Sequence, residues 1–240
     1  MKSRSTFLCI LAAATLTFSG GAFSAGTGWP LDSIDPDLKD LPSLQNGFKM
    51  YVNYCMGCHS LQYQRYERTA DDLGISHDIA MDNLVLTDQK IGELMTTSMD
   101  PELAKNWFGA PPPDLTMVAR VRGTDWLYTY LRTFYQDQAR PFGVNNLVFA
   151  NVGMPNVLAS LQGEQVLDES GAPELVEGTG ELSPEEFDQA IYDIVNFLYY
   201  TGDPSRLERH RTGIYVLLFL LVLYVFTYLL GREYHKEVVD

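Results

Sequence analysis

The chain is poor in the residues that carry most independent chemistry. Its 240 residues hold three cysteines, four histidines and only 17 Lys and Arg against 31 Asp and Glu, a formal net charge of -14. So few basic groups exclude a nucleic-acid binder, because phosphate neutralisation needs a positive face. Three cysteines exclude a disulfide scaffold, and with Cys9 in the N-terminal leader only Cys55 and Cys58 remain for another purpose. Sustained period-two alternation, internal repeats and low-complexity tracts are also missing, which argues against an all-β or solenoid architecture. At 46% hydrophobic and 20% charged residues the chain can still afford a folded core.

Both ends are apolar. Residues 1–25 read as a secretory signal, with Lys2 and Arg4 ahead of the run from Phe7 to Ala14 and small residues around Ala22 and Ala25. Removing it takes away two positive charges and no acid, so the acidity belongs to the remainder. Thr212 to Gly231 carries no charge over about 20 residues, enough helix to cross the roughly 30 Å hydrocarbon core of a bilayer. The expected organisation is therefore a signal peptide (1–25), an exported domain (26–205), a linker and transmembrane anchor (206–231) and a cytoplasmic tail (232–240). Arg206, Arg209 and Arg211 before the span, against Arg232 and Lys236 after it, mildly oppose this orientation; export followed by a stop-transfer segment decides it.

Inside the domain the pattern is helical. Residues 26–44, with Pro30, Pro36 and Pro42, read as an extended lead-in, and Gln45 to Cys55 as a short amphipathic helix. Asp88 to Met99 also reads as a helix, Gly109 to Pro113 as a stop, and Asp114 and Asp125 as N-caps for helices over 115–122 and 126–136. A long loop covers 137–181. Ser183-Pro184-Glu185-Glu186 is a capping box ahead of the stripe Phe187, Ile191, Ile194, Val195 and Leu198, stopped by Gly202-Asp203-Pro204. The expected fold class is mainly α with long loops, plus one C-terminal transmembrane helix.

Cys55-Met56-Gly57-Cys58-His59 is C-x-x-C-H, the attachment signature of a c-type haem. Two thiols three positions apart can add to the two vinyl groups on one porphyrin edge, and the adjacent histidine then reaches the iron. A zinc half-site would need a second Cys/His pair, and a thioredoxin-like motif a βαβ context, neither of which is evident. One motif means one haem. The sixth ligand is open among Met50, Met81, Met95, Met99, Met117, Met154 and His77; Met154 stands apart because Gly153 and Pro155 flank it in a loop able to present a thioether rigidly. Arg120 and Arg122 are candidates to meet the two propionates. Between Phe142 and Ser205 there is no Lys or Arg, only acids, a pattern that fits either a solvated face or a surface steering a basic redox partner.

With these parts together the chain resembles the cytochrome c1 family, the haem subunits of the ubiquinol–cytochrome c oxidoreductase (cytochrome bc1) complex, in its bacterial form. Four stretches carry the resemblance: Gly47 to Leu61 around the haem motif, Gly109 to Thr116 with its P-P-D-L segment, Gly153-Met154-Pro155, and Asp193 to Leu198 with the anchor beyond. The resemblance implies thioethers at Cys55 and Cys58, axial ligation by His59 and Met154, and Arg120 as a propionate partner. It implies a respiratory electron-transfer role within a dimeric complex containing cytochrome b and the Rieske iron–sulfur subunit, which donates the electron, with cytochrome c as acceptor. It places the haem domain in the periplasm on a single-pass anchor in the inner membrane, with no acid–base site of its own. Trp126 departs from the Tyr found in many relatives. Competing readings are a membrane-anchored monohaem cytochrome serving a terminal oxidase or another dehydrogenase, a haem-based sensor with an open sixth position, and a thiol-disulfide enzyme.

Overall fold

The computed structural model describes residues 28–86 and 88–237. The expected signal peptide lies outside these, as do the last residues of the expected tail. Two helices make the frame. Helix α1 (Leu41–Met50) starts at Asp40, whose carboxylate accepts from the Ser43 amide, and passes without a break into a π-helical turn, Tyr51–Cys55. The chain then runs through β1 (Leu61–Arg65), α2 (Tyr66–Asp72), α3 (His77–Asn83), β2 (Leu94–Met95), α4 (Pro101–Phe108), α5 (Val118–Arg122), α6 (Thr124–Arg132), β3 (Phe134–Gln136), β4 (Val144–Asn146), α7 (Ala159–Gln162), β5 (Gln165–Leu167) and β6 (Pro173–Leu175). Helix α8 (Pro184–Gly202) closes the domain and α9 (Arg206–Glu237) leaves it. The strands form three two-stranded antiparallel ribbons, β1-β2, β3-β4 and β5-β6. The architecture is mainly α, as expected.

Helix α8 is the organising element. Ser183 and Glu186 form the reciprocal capping box, Pro184 occupies the first turn, and Phe187, Ile191, Ile194, Val195 and Leu198 are all buried. Its closest neighbour is α1, and Gly47 is the reason. A Cβ at Gly47 would lie 2.0 Å from the Asp193 carbonyl oxygen, so only glycine lets the two backbones touch. Around that crossing Phe48 stacks on Phe197 with centroids 5.2 Å apart, and the Asn46 amide donates to Asp193 at 2.7 Å. Asn196 donates to the Asp37 carbonyl and the Ser43 hydroxyl, which ties the lead-in to the same face. Arg132 at the end of α6 grips Asp188 with two nitrogens, at 2.6 and 2.9 Å, and Asp32 with a third at 2.6 Å.

Five sequence expectations are corrected. Asp88 to Met99 is not a helix. Ile91, Leu94 and Met95 have helical spacing, yet β2 pairs Met95 with Leu61, and the fully buried Met95 side chain gains more from that seat than from a helical turn. Helix α6 begins at Thr124 and stops at Arg132, short of Gln136, because the next residues pair as β3 with β4. Asp125 does not cap it: its carboxylate accepts from the Ile34 amide, 91 residues away in sequence. Asp114 likewise sits ahead of α5 without capping it; Met117 occupies the cap position. The span of 137–181, expected as a loop, holds β4, α7 and the β5-β6 hairpin.

The last helix behaves as expected of an anchor. It is continuous through 206–236, its apolar window has a mean hydropathy of 2.5, and none of that window is buried against protein. It is long and apolar enough to cross a membrane. At its root Asp203 accepts from two nitrogens of Arg209, which hold its carboxyl below the usual carboxylate range.

Candidate haem site

The C-x-x-C-H pentapeptide is a turn wound onto the end of the α1 unit. The Cys58 and His59 amides both donate to the Cys55 carbonyl, at 3.1 and 2.9 Å, and the buried Tyr51 hydroxyl donates to the His59 carbonyl at 2.6 Å. Thr97 braces the other side. Its hydroxyl donates to the Gly57 carbonyl and its amide donates to the Ser60 hydroxyl oxygen, both at 2.9 Å. Cys55 is buried and Cys58 half-buried. Burial pushes the Cys55 thiol up to about 12, with Cys58 contributing in the same direction, and burial also raises Cys58. A thiol-disulfide enzyme depends on a stabilised thiolate, and these surroundings do the opposite.

The P-P-D-L segment serves the histidine. Prolines have no amide hydrogen and keep the chain out of a helix, so the Pro113 carbonyl is left for another donor. His59 Nδ1 is 2.7 Å from that oxygen. A carbonyl can only accept, so Nδ1 carries the proton and Nε2 is the bare nitrogen, the arrangement a metal-ligating imidazole needs. Burial lowers the His59 pKa, against smaller opposing effects of the Pro113 bond and Asp114, which favours the neutral ring. The segment is pinned in place by Leu115, whose amide donates to the Ser60 carbonyl at 2.9 Å. Asp114 helps by accepting from the Gln62 amide at 2.7 Å and the Thr116 amide at 3.0 Å.

Met154 is held from two directions. Gly153 passes so close to α4 that a Cβ there would lie 2.8 Å from the Phe108 carbonyl. Phe108 and Pro113 are five residues apart, at most about 17 Å of extended chain, so the methionine loop and the His59 clamp lie at the two ends of one short segment. From α6, the Tyr130 hydroxyl donates to Met154 Sδ at 3.4 Å. The other thioethers are placed differently. Met50 and Met95 are buried in the core, Met99 is half-buried, Met81 and Met117 are exposed, and His77 pairs with Asp71 at 2.8 Å on the surface.

The two arginines part company. Arg120 lies along the end of α8, with Nη1 3.4 Å from the Gly202 carbonyl and 3.8 Å from Asp203. Arg122 lies over Trp126, 5.0 Å from the ring centroid, and near Phe149. Trp126 in turn stacks on Tyr130 at 4.8 Å with the planes 10° apart. The sequence reading singled out neither Tyr130 nor Thr97. Tyr130 sits four residues after Trp126 on one helical face, but nothing local shows that this face meets a loop 24 residues on.

The residues suit a haem of the c type: two thiols on one turn, Cys55 buried and Cys58 half-buried, one imidazole with a fixed tautomer, and a thioether in a non-helical loop across the same segment. The profile of the Cytochrome C1 family matches residues 88–238. The chain is 50% identical to the cytochrome c1 of Allochromatium vinosum over 244 residues, covering 97% of each. It is 46% identical to the ammonia monooxygenase gamma subunit of Nitrosomonas europaea, over 90% of this chain and 92% of that one. It is 24% identical to the cytochrome c1 of Rhodobacter capsulatus over 94% and 95%. A clamped C-x-x-C-H turn on a helical domain with one exposed apolar helix is the makeup of a tethered haem protein of electron transport. More narrowly, the chain belongs to the cytochrome c1 family.

Proposed function

We propose that this chain is the electron-carrying haem subunit of a respiratory ubiquinol–cytochrome c reductase, taking electrons from a Rieske iron–sulfur subunit and passing them to a cytochrome c. The observation that carries the reading is the His59 Nδ1 to Pro113 clamp, which leaves Nε2 as a ligand and has no other evident use. When bound, the single haem c supplies one-electron chemistry between ferric and ferrous iron. Cys55 and Cys58 would hold it by thioethers, and His59 Nε2 and Met154 Sδ would be the protein's ligands to its iron. Arg120 supplies positive charge for a propionate, with Arg122 as the second candidate from the other side of α5. No side chain has to move a proton.

The partner reading rests on charge. Asp188 and Asp203 in the acidic region are paired with Arg132 and Arg209, whereas Glu169, Glu174 and Glu177, around the β5-β6 hairpin, have no cation partner among the described residues. These exposed carboxylates suit a basic, soluble acceptor steered by long-range attraction. The domain is exported and faces the periplasm, with α9 as its single anchor and residues 232–240 inside; the complex is dimeric and contains cytochrome b.

The test is the full chain, matured with haem and purified from membranes, with Met154→Leu beside the wild type. The wild type should show covalent haem with the near-infrared methionine-to-iron band; the variant should lose that band and its potential should fall steeply. An unchanged variant removes Met154 from the site. Copurification with cytochrome b and an iron–sulfur subunit separates this function from service to a different membrane oxidoreductase, the kind of assembly named for the Nitrosomonas europaea relative.

A further inference from the structure

We infer that Tyr130 is a positioning residue for Met154, its phenol O–H holding the second lone pair of the thioether sulfur and thereby favouring the reduced state of the bound group. The inference rests on Met154 being the sixth ligand. A thioether sulfur has two lone pairs, and a metal takes one. The Tyr130 hydroxyl lies 3.4 Å from Sδ, within reach of the other, in hydrogen-bonding geometry to a weak sulfur acceptor.

The tyrosine ring is held on both sides. Trp126 stacks on it at 4.8 Å and Phe134 meets it edge-on at 5.2 Å, with the Arg122 guanidinium lying 5.0 Å from the Trp126 ring centroid. Such contacts fix the ring plane, and with it the direction of the hydroxyl. Burial raises the Tyr130 pKa well above its ordinary value, so the group remains an O–H donor across the physiological range. Its carbonyl is engaged separately, accepting from the Asn146 side chain at 2.8 Å, which anchors the backbone beneath the ring.

A donor on the sulfur draws electron density away from the metal bond. That weakens donation to the electron-poor oxidised iron more than to the reduced iron, so the bond should raise the reduction potential, and it does so from outside the ligand set. Trp126 then has a role of its own: its broad face carries the ring that carries the hydroxyl.

The test is Tyr130→Phe in the full-length, haem-loaded protein, a change that keeps the ring and its stacking and removes only the O–H. The methionine-to-iron band should persist while the ratio of oxidised to reduced protein at a fixed ambient potential rises about threefold, about 30 mV at 59 mV per decade for one electron. A potential equal to or above that of the wild type, with the band retained, overturns the inference. If the variant does not mature, the wild type alone decides. Exchange from H2O into D2O should shift the iron–thioether Raman vibration, and an unshifted vibration overturns the role of the hydroxyl. A wild type without the methionine band, or with a Met154→Leu variant of unchanged potential, fails the axial assignment itself and is recognisable as that separate failure.

Discussion

Replacing Gly47 by alanine should loosen the domain at the one point where its two main helices touch backbone to backbone. The added Cβ would sit 2.0 Å from the Asp193 carbonyl oxygen and 2.7 Å from Phe197 Cβ. To restore an ordinary contact of about 3.5 Å the helices must part by roughly 1.5 Å. Neither offending atom is the end of a flexible side chain, so overpacking should cost near the top of its usual range, about 3 kcal/mol. Alanine returns about 1 kcal/mol as the better helix former. The net loss, about 2 kcal/mol, corresponds to a fall in Tm of roughly 4–8 °C for a domain of this size. The strain should also reach the site, because Phe197 lies against Tyr51, whose hydroxyl holds the His59 carbonyl at 2.6 Å. Differential scanning calorimetry of the haem-loaded protein, read beside the near-infrared band, measures both. A variant as stable as the wild type would show that the α1–α8 crossing adjusts without cost, and the argument from close approach would fall.

Two further outcomes test other levels of the structure. Ser183→Ala removes the N-cap of α8, where the hydroxyl accepts from the Glu186 amide, and should cost about 1 kcal/mol in denaturant unfolding with no change in the haem spectrum. The rate of reduction of a basic acceptor should fall steeply as ionic strength rises, and neutralising Glu169, Glu174 and Glu177 together should flatten that dependence. A salt-independent rate would place the docking face elsewhere.

Legibility in the sequence followed the range of the interactions. The α8 cap was readable because Ser183, Pro184 and Glu186 are neighbours, and the haem motif because its chemistry fits within five residues. The misread segment at 88–99 shows the limit. Its apolar spacing suited a helix, and only pairing with the distant Leu61 and Arg65 makes Leu94 and Met95 a strand. Asp125 looked like a cap and instead accepts from Ile34. The P-P-D-L segment was conspicuous in the sequence, but its use, a carbonyl for His59, depends on bringing together residues 54 positions apart. Tyr130 left no local signal, since a tyrosine on an amphipathic helix is ordinary until its partner loop is known.

The two sides of the site are not equally secured, and this should order its failure. On the histidine side Tyr51, Cys55 and Met56 belong to the buried core, and five hydrogen bonds with Tyr51, Thr97, Pro113 and Leu115 converge on residues 57–60. On the methionine side Met154 is half-buried in a loop held by the Gly153 approach to Phe108, the Tyr130 hydroxyl, the buried Val152 side chain, and Asn151, which accepts twice from Arg140 and donates its amide to Asn145. Segments with few buried contacts open at lower free energy than the whole domain. On heating, the methionine-to-iron band should therefore disappear before the far-ultraviolet circular dichroism of the helices, while a haem held, as proposed, at Cys55, Cys58 and His59 should keep its Soret absorbance. Coincident loss of the band and the helical signal would mean that the methionine loop unfolds only with the core, and that its sparse contacts understate how firmly the bound group itself ties the two sides together.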